Sequence, residues 1–505
     1  MSEPRFTLVR AEFLLPLAAP DRGRRIQDGY LLTEGATIRE VGAWAPDVWR
    51  RIREECGAEL AVWGAPGALD AGPGPASGGY PAGTPPRQRA VLMPAFVKAH
   101  GHDHEQPLIG IAKDEPLTAW LDHAVNPFAL FMSTERERLT KELGASPHLV
   151  TYRLARLCDI HYGITTSMVH HCNFNKYHVR ELAQANEAAG TTMVVAIGGQ
   201  DRNYLAEVLD EPEQAVARLD AALAIPGLER TSFCPGPDQF FSNSRAMLVP
   251  LKRWAREHGT LFHIHSAEEP ETTRWFSAEV EPGQTEVEFA ESLGILDGDT
   301  VLAHQVNCGP RDVGILARTG AKVVHNPLAN TILGSGMPPV LEMMAAGVPV
   351  AISTDGSGSA DNQNILGAAR LASQYQKARR QDATVLPAQQ LLEMITSVPA
   401  SFLRQDQGEL APGRRADWIL VGLDRPNLTP TRLDNVMENL IWAADGSEVD
   451  TVVSRGRVLK RDGRVLPFAD GTRPGDVLAG AQRLSELFAE YRRTAPELKG
   501  TGAHR

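Results

Sequence analysis

Between Val91 and about Leu403 the chain repeats one pattern eight times: a short, strand-like apolar run, a polar turn and, in most repeats, a segment of helical periodicity. The runs are LMPAFVKAH, TTSMVHH, TTMVVAIG, TSFCPG, TLFHIHSA, TVLAHQV, AKVVHNP and PVAISTDG. Between them stand HLVTYRLARLCDIHYG, VRELAQANEAAG, SRAMLVPLKRWAREHG, RDVGILARTG and ILGAARLASQYQKARR, whose apolar residues recur at helical spacing. Eight alternating units predict a (β/α)8 barrel of the TIM type over residues 90–405, rather than an open sheet.

The flanks read differently. Residues 1–63 contain short strands, FTLVRAEFLL and GYLLTEGATIREVGA, separated by turn residues, and read as all-β. Over 406–470, ADWILVGLD and VDTVVSRGRVLKRDGR return to strand character. The two segments are expected to meet in one small β-sandwich that the barrel interrupts. Residues 64–89 are rich in Gly and Pro and poor in large apolar groups, so they read as a flexible insert. Residues 471–505 supply a last helix, AGAQRLSELFAEYRRT, and a polar tail.

The chemistry-bearing residues gather where the runs end. His100-Gly-His102 closes the first run, and alternation along a strand points both imidazoles to one face. His265 closes LFHIHSAEE, with Glu268 three residues on; His304 closes TVLAHQV; Asp355 closes VAISTDG. Strand ends are where such a barrel places its active site. The set reads as a dispersed metal centre. Imidazoles with a carboxylate suit zinc, with iron(II) as the alternative, and leave room for a water whose pKa falls towards ~7 on coordination. Glu268, just past a strand end, can exchange protons with that water.

Composition narrows the partners. The formal net charge of −11 disfavours nucleic acid and anionic membranes, and small neutral or cationic molecules fit better. Cys56, Cys158, Cys172, Cys234 and Cys308 are odd in number and widely spaced, which suggests neither a disulfide framework nor a cysteine zinc site. No apolar stretch reaches spanning length and the first residues lack a signal-like apolar region, so a cytoplasmic setting is expected.

MPAFVKAHGH, PLTAWL, HIHSAEE, AHQV, VVHNPLANTILGSGMPPV, STDGSGSADNQNIL and GELAPGRRADWILVGLD together resemble the amidohydrolase superfamily. The likeness is to its mononuclear aminohydrolase branch, which includes methylthioadenosine and S-adenosylhomocysteine deaminases, guanine deaminase-like enzymes and triazine hydrolases. It covers nearly the whole chain. It implies that His100, His102, His265 and Asp355 bind the metal, that Glu268 shuttles protons, and that His304 helps hold the attacking water. Binuclear members bridge two metals through a carboxylated lysine on a middle strand; TTMVVAIG and TSFCPG contain none, so one ion is expected.

The chain also departs from that branch. Asp103 and His104 follow the H-x-H directly. Ala129 stands at the place of a glutamate that meets ribose hydroxyls, and Gly236 at that of a fourth-strand histidine. Both departures weaken a nucleoside substrate. His170, Asp238, Trp120, His104 and His325 are the candidate substrate contacts, with His171, Asn173 and Gln239 beside them. The resulting expectation is a metal-dependent aminohydrolase that removes an exocyclic amino group from a small nitrogen heterocycle, working as a homodimer or higher homo-oligomer. Displacement of chloride or an alkylamine from a triazine, or opening of a cyclic amide, would use the same machinery. A non-enzymatic binding protein on the same fold is the remote alternative.

Overall fold

The computed structural model describes residues 5–64 and 85–493. Strands β1 (Phe6–Leu14), β2 (Ile26–Glu34), β3 (Thr37–Ala43), β4 (Leu60–Val62) and β5 (Gln88–Pro94) begin the chain. Eight parallel strands follow in two sheets. The first holds β6 (Phe96–Lys98), β7 (Ile164–His171), β8 (Thr192–Ile197) and β9 (Thr231–Pro235) in that order. The second holds β10 (Phe262–Ser266), β11 (Thr300–His304), β12 (Lys322–His325) and β13 (Val350–Ile352). All eight strand-like runs of the sequence therefore contribute to these sheets.

Two seams join the sheets. At one, a parallel bridge pairs Gln239 with His265. At the other, the Ser353 hydroxyl donates to the His100 carbonyl at 2.6 Å. One residue from each strand or its immediate flank, among them Val97, Met168, Val194, Cys234, Leu261, Val301, Val324 and Ala351, enters a single buried cluster. The opposite faces pack on amphipathic helices through Tyr152, Leu182, Leu219, Leu251, Leu316 and Ala369.

The last strands, β14 (Trp418–Gly422), β15 (Val449–Ser454), β16 (Arg457–Arg461) and β17 (Arg464–Val465), complete a nine-stranded sheet of order β17-β16-β15-β14-β5-β1-β2-β3, with β4 paired to β1. β5 stitches the two ends of the chain together, parallel to β1 and antiparallel to β14. The terminal segments thus meet as one continuous sheet where two facing sheets were expected. An antiparallel bridge from Thr37 to Arg415 brings its far edge back towards β14, and Trp63 packs edge-to-face on Trp418 inside.

Two further expectations are corrected. The run LMPAFVKAH is not one strand: it divides at Ala95, β5 joining the terminal sheet and β6 the parallel one. The stretch 1–63 is not all-β, since Pro46–Cys56 is a helix. Pro46 and Asp47 suit its first turn, and Ile52 and Cys56, one turn apart, are its buried face. Most of the expected 64–89 insert, residues 65–84, lies outside the described residues, as does the tail from 494. The C-terminal helix spans Pro474–Arg492 and packs Phe488 against Phe128 and Phe131. Among the described residues, no helix is long and apolar enough to cross a membrane.

Candidate metal centre and active site

β6 ends at Lys98 and the chain bends at Ala99 and His100 before His102, whose backbone is extended (φ −133°, ψ 103°). The two rings come together across this bend, with centroids 5.0 Å apart. His265 arrives from β10 and His304 from β11, where register sets Ser266 opposite His304. Three of the strand ends turn through left-handed backbone at non-glycine residues: Ala267 (φ 50°), His304 (φ 75°) and Gln305 (φ 55°), and Asp355 (φ 71°). Such conformations cost about 1–3 kcal/mol each and concentrate at functional sites. Here they aim side chains inward from the ends of β10, β11 and β13.

The hydrogen bonds of the imidazoles fix which nitrogen faces the centre. His102 Nδ1 donates to the His170 carbonyl at 3.0 Å and His265 Nδ1 to the Asp238 carbonyl at 2.6 Å. Each Nε2 is therefore a lone pair, and the two lie 3.1 Å apart. His100 Nε2, buried and without a hydrogen-bond partner among the described residues, lies 3.2 Å from Asp355 Oδ1, which is 3.5 Å from His102 Nε2. Burial, reinforced by neighbouring imidazoles, holds His100 and His102 well below the usual histidine range. Neutral imidazoles whose lone pairs converge beside a carboxylate repel one another unless a cation sits among them. The donor set, three nitrogens and a hard oxygen, fits a divalent ion.

Outside this ring stand groups that orient it. His263 Nε2 lies 3.1 Å from His100 Nδ1, and His263 Nδ1 3.1 Å from His170 Nδ1. The Asn330 amide donates to His304 Nδ1 at 3.0 Å, which leaves its Nε2 protonated and 3.5 Å from Glu268 Oε2 and 3.7 Å from Asp355 Oδ2. Burial brings the His304 pKa down to about 4. Burial, then the charge of Asp355, pushes Glu268 well above the usual carboxylate range.

A cavity of about 30 Å³ opens beside these groups. His102, His265, His304, Glu268 and Asp355 line it, as do His104, Trp120 and Asp238. His170 and His325 do not. His170 lies behind Asp238 and His265, its Nε2 3.6 Å from Asp238 Oδ1. His325 is buried in β12 opposite Ile352, with its pKa lowered by burial to about 3. Sequence reasoning missed Glu105, Cys172 and Tyr204, which also line the cavity. It missed His263 as well, although His263 and His265 form the same H-x-H signal that singled out His100 and His102.

Comparison with known proteins identifies the family. The chain is 31% identical over 383 residues to a 5-methylthioadenosine/S-adenosylhomocysteine deaminase of Haloarcula marismortui, covering 75% of this chain and 83% of that one. It is likewise 31% identical over 381 residues to a 5'-deoxyadenosine deaminase of Methanothermobacter thermautotrophicus, covering 74% and 83%. Its fold is similar to an adenosine deaminase of Xanthomonas campestris with bound zinc (TM-score 0.75, 21% identity, 97% and 100% covered). It is similar also to the triazine hydrolase of Arthrobacter aurescens (TM-score 0.77, 19% identity, 95% and 99% covered). Residues 91–459 match the profile of the Amidohydrolase family, and the chain belongs to that family.

Proposed function

We propose that this protein is a metal-dependent aminohydrolase that exchanges an exocyclic amino group of a small nitrogen heterocycle for oxygen, consuming water and releasing ammonia. The observation that carries the reading is the gathering of His100 and His102 on Asp355, with the His265 lone pair against that of His102 and with Glu268 and His304 beside them. The names of the curated relatives support it. We read the two parallel sheets as halves of one closed (β/α)8 barrel, in keeping with the shared interior cluster and the two seams, and the ion as a single zinc.

His100, His102, His265 and Asp355 would hold the ion, which supplies Lewis acidity and lowers the pKa of a water. Glu268 takes a proton from the attacking water and delivers it to the ring nitrogen next to the carbon under attack. The His304 Nε2–H, fixed by Asn330, donates towards the incoming oxygen. The hydroxyl proton of the tetrahedral adduct then passes to the amine as the carbon–nitrogen bond breaks, so ammonia leaves and the carbon keeps the oxygen.

The cavity wall is acidic. Glu105, Asp238, Glu268 and Asp355 line it without a lysine or arginine, which favours neutral or cationic substrates over phosphorylated ones. Leu117, Trp120, Leu121 and Val125, from a segment that includes a π-helical turn, supply apolar wall to the same cavity. The test is a panel of aminopurines, aminopyrimidines, pterins and triazines assayed for ammonia beside chloride. Ammonia release supports the reading; chloride or alkylamine release alone replaces it with a triazine-type hydrolysis.

A further inference from the structure

Beneath the imidazole cluster lies a chain of buried charges that the reaction does not use. Arg156, on the helix Pro147–His161, forks onto Asp103 with Nε–Oδ2 at 2.8 Å and Nη2–Oδ1 at 2.5 Å, and its Nη2 lies 2.9 Å from Asp159 Oδ2. Asp159 accepts from Lys98 Nζ at 2.7 Å and from the Ser167 hydroxyl at 2.6 Å. Lys98 also donates to Gln363 Oε1 at 2.8 Å. The Gln363 amide is used at every position: Oε1 accepts from Thr354 at 2.7 Å as well, and Nε2 donates to the Asp355 carbonyl at 3.1 Å and to the Ser357 hydroxyl at 2.9 Å. All five side chains are buried.

The path has two ends, and both are at the metal site. Asp103 follows His102 directly, Lys98 precedes His100 by two residues, and Gln363 grips the backbone of Asp355. The two segments also approach closely: a Cβ at Gly101 would come within 3.1 Å of both the Asp355 carbonyl and Lys98 Cε. Two cations and two carboxylates cancel in charge, yet desolvating four ions rarely gives net stability, and apolar replacements of such pairs are often as stable or more so. Fold stability therefore does not account for the cluster. A bidentate fork and a fully used amide do supply fixed geometry.

We propose that Lys98, Asp103, Arg156, Asp159 and Gln363 act as one positioning unit, which clamps the His100–His102 segment against the Asp355 turn at the spacing a metal ion requires. This rests on the metal reading of the site. Groups outside the ligand sphere that orient ligands typically contribute ~10–100-fold in metal affinity.

The test measures zinc affinity by chelator competition, and melting of the metal-free protein, for wild type, Arg156→Lys, Gln363→Met and the double variant Asp103→Leu/Arg156→Met. Arg156→Lys keeps the charge and loses the fork; Gln363→Met cuts the link to Asp355 without changing charge. Each is expected to weaken zinc binding about 10–100-fold. The double variant should melt near wild type and still bind zinc weakly. Wild-type zinc affinity in both single variants would overturn the proposal and leave the metal reading intact. Recovery of both melting and affinity in the double variant would overturn it too, because the cluster would then serve packing alone. A wild-type protein that takes up no zinc would overturn the metal reading beneath it.

Discussion

The imidazole cluster and the charge cluster beneath it are both buried, polar and drawn from several elements, yet they are finished to different degrees. Below, Arg156, Asp103, Asp159, Lys98 and Gln363 hold one another in short, directional hydrogen bonds. Above, His100 Nε2 and both ring nitrogens of His104 have no hydrogen-bond partner among the described residues, and two Nε2 lone pairs face each other. Unpaired buried polar atoms cost about 1–3 kcal/mol each, and at these imidazoles they gather around facing lone pairs, where a cation would complete them. We therefore read the satisfied cluster as scaffold and the unsatisfied one as the site.

Removing a ligand should break that contrast most severely. Asp355→Ala is expected to lose both bound metal and measurable ammonia release, since it deletes a metal ligand and the partner of His304 at once. Glu268→Gln should separate the two functions. The amide keeps the size of the carboxylate but cannot accept the water's proton, so kcat should fall by ~10²–10⁴-fold while metal content stays near wild type. Asn330→Ala removes the closer of the two amide donors to His304 Nδ1, leaving Asn326 at 3.4 Å, and kcat is expected to fall by roughly ten- to a hundredfold with metal content unchanged.

A smaller effect sharpens the comparison through pH. Glu286 is buried and accepts from the Ala267 amide at 2.6 Å, holding the turn that precedes Glu268. Burial raises its pKa from 4.5 to about 7. The folded state thus keeps a proton that the unfolded chain has lost, and stability falls as pH rises through that window, by at most about 3.5 kcal/mol at about 1.4 kcal/mol per pKa unit, then levels above 7. Glu286→Gln should flatten this slope, and denaturant titrations at pH 5 and pH 8 would show it. A wild type whose stability rises between those pH values from this group would contradict the assignment.

The strand ends were legible because each candidate residue follows an apolar run closely, and because H-x-H keeps two rings near one another. The eight parallel strands were legible for the same reason. The division of LMPAFVKAH was not, since nothing in its apolar pattern marks that Met93 pairs with Ile419 of β14 while Val97 pairs with Thr166 of β7. The helix Pro46–Cys56 carries its signal in Pro46 and in the Ile52–Cys56 spacing, but it lies in a stretch whose named runs are strands, so the whole stretch reads as all-β. The charge cluster was invisible for a different reason. Lys98, Asp103, Arg156, Asp159 and Gln363 span 265 residues of chain between Lys98 and Gln363 alone, and only tertiary packing shows that they meet.

One cation is expected to complete the unsatisfied imidazoles. Elemental analysis of protein produced with supplemented zinc checks this, with His265→Ala as the comparison. The expected result is about one divalent ion per chain in the wild type and a large loss in the variant. Two stoichiometric ions, none at all, or one ion retained unchanged without His265 would contradict it.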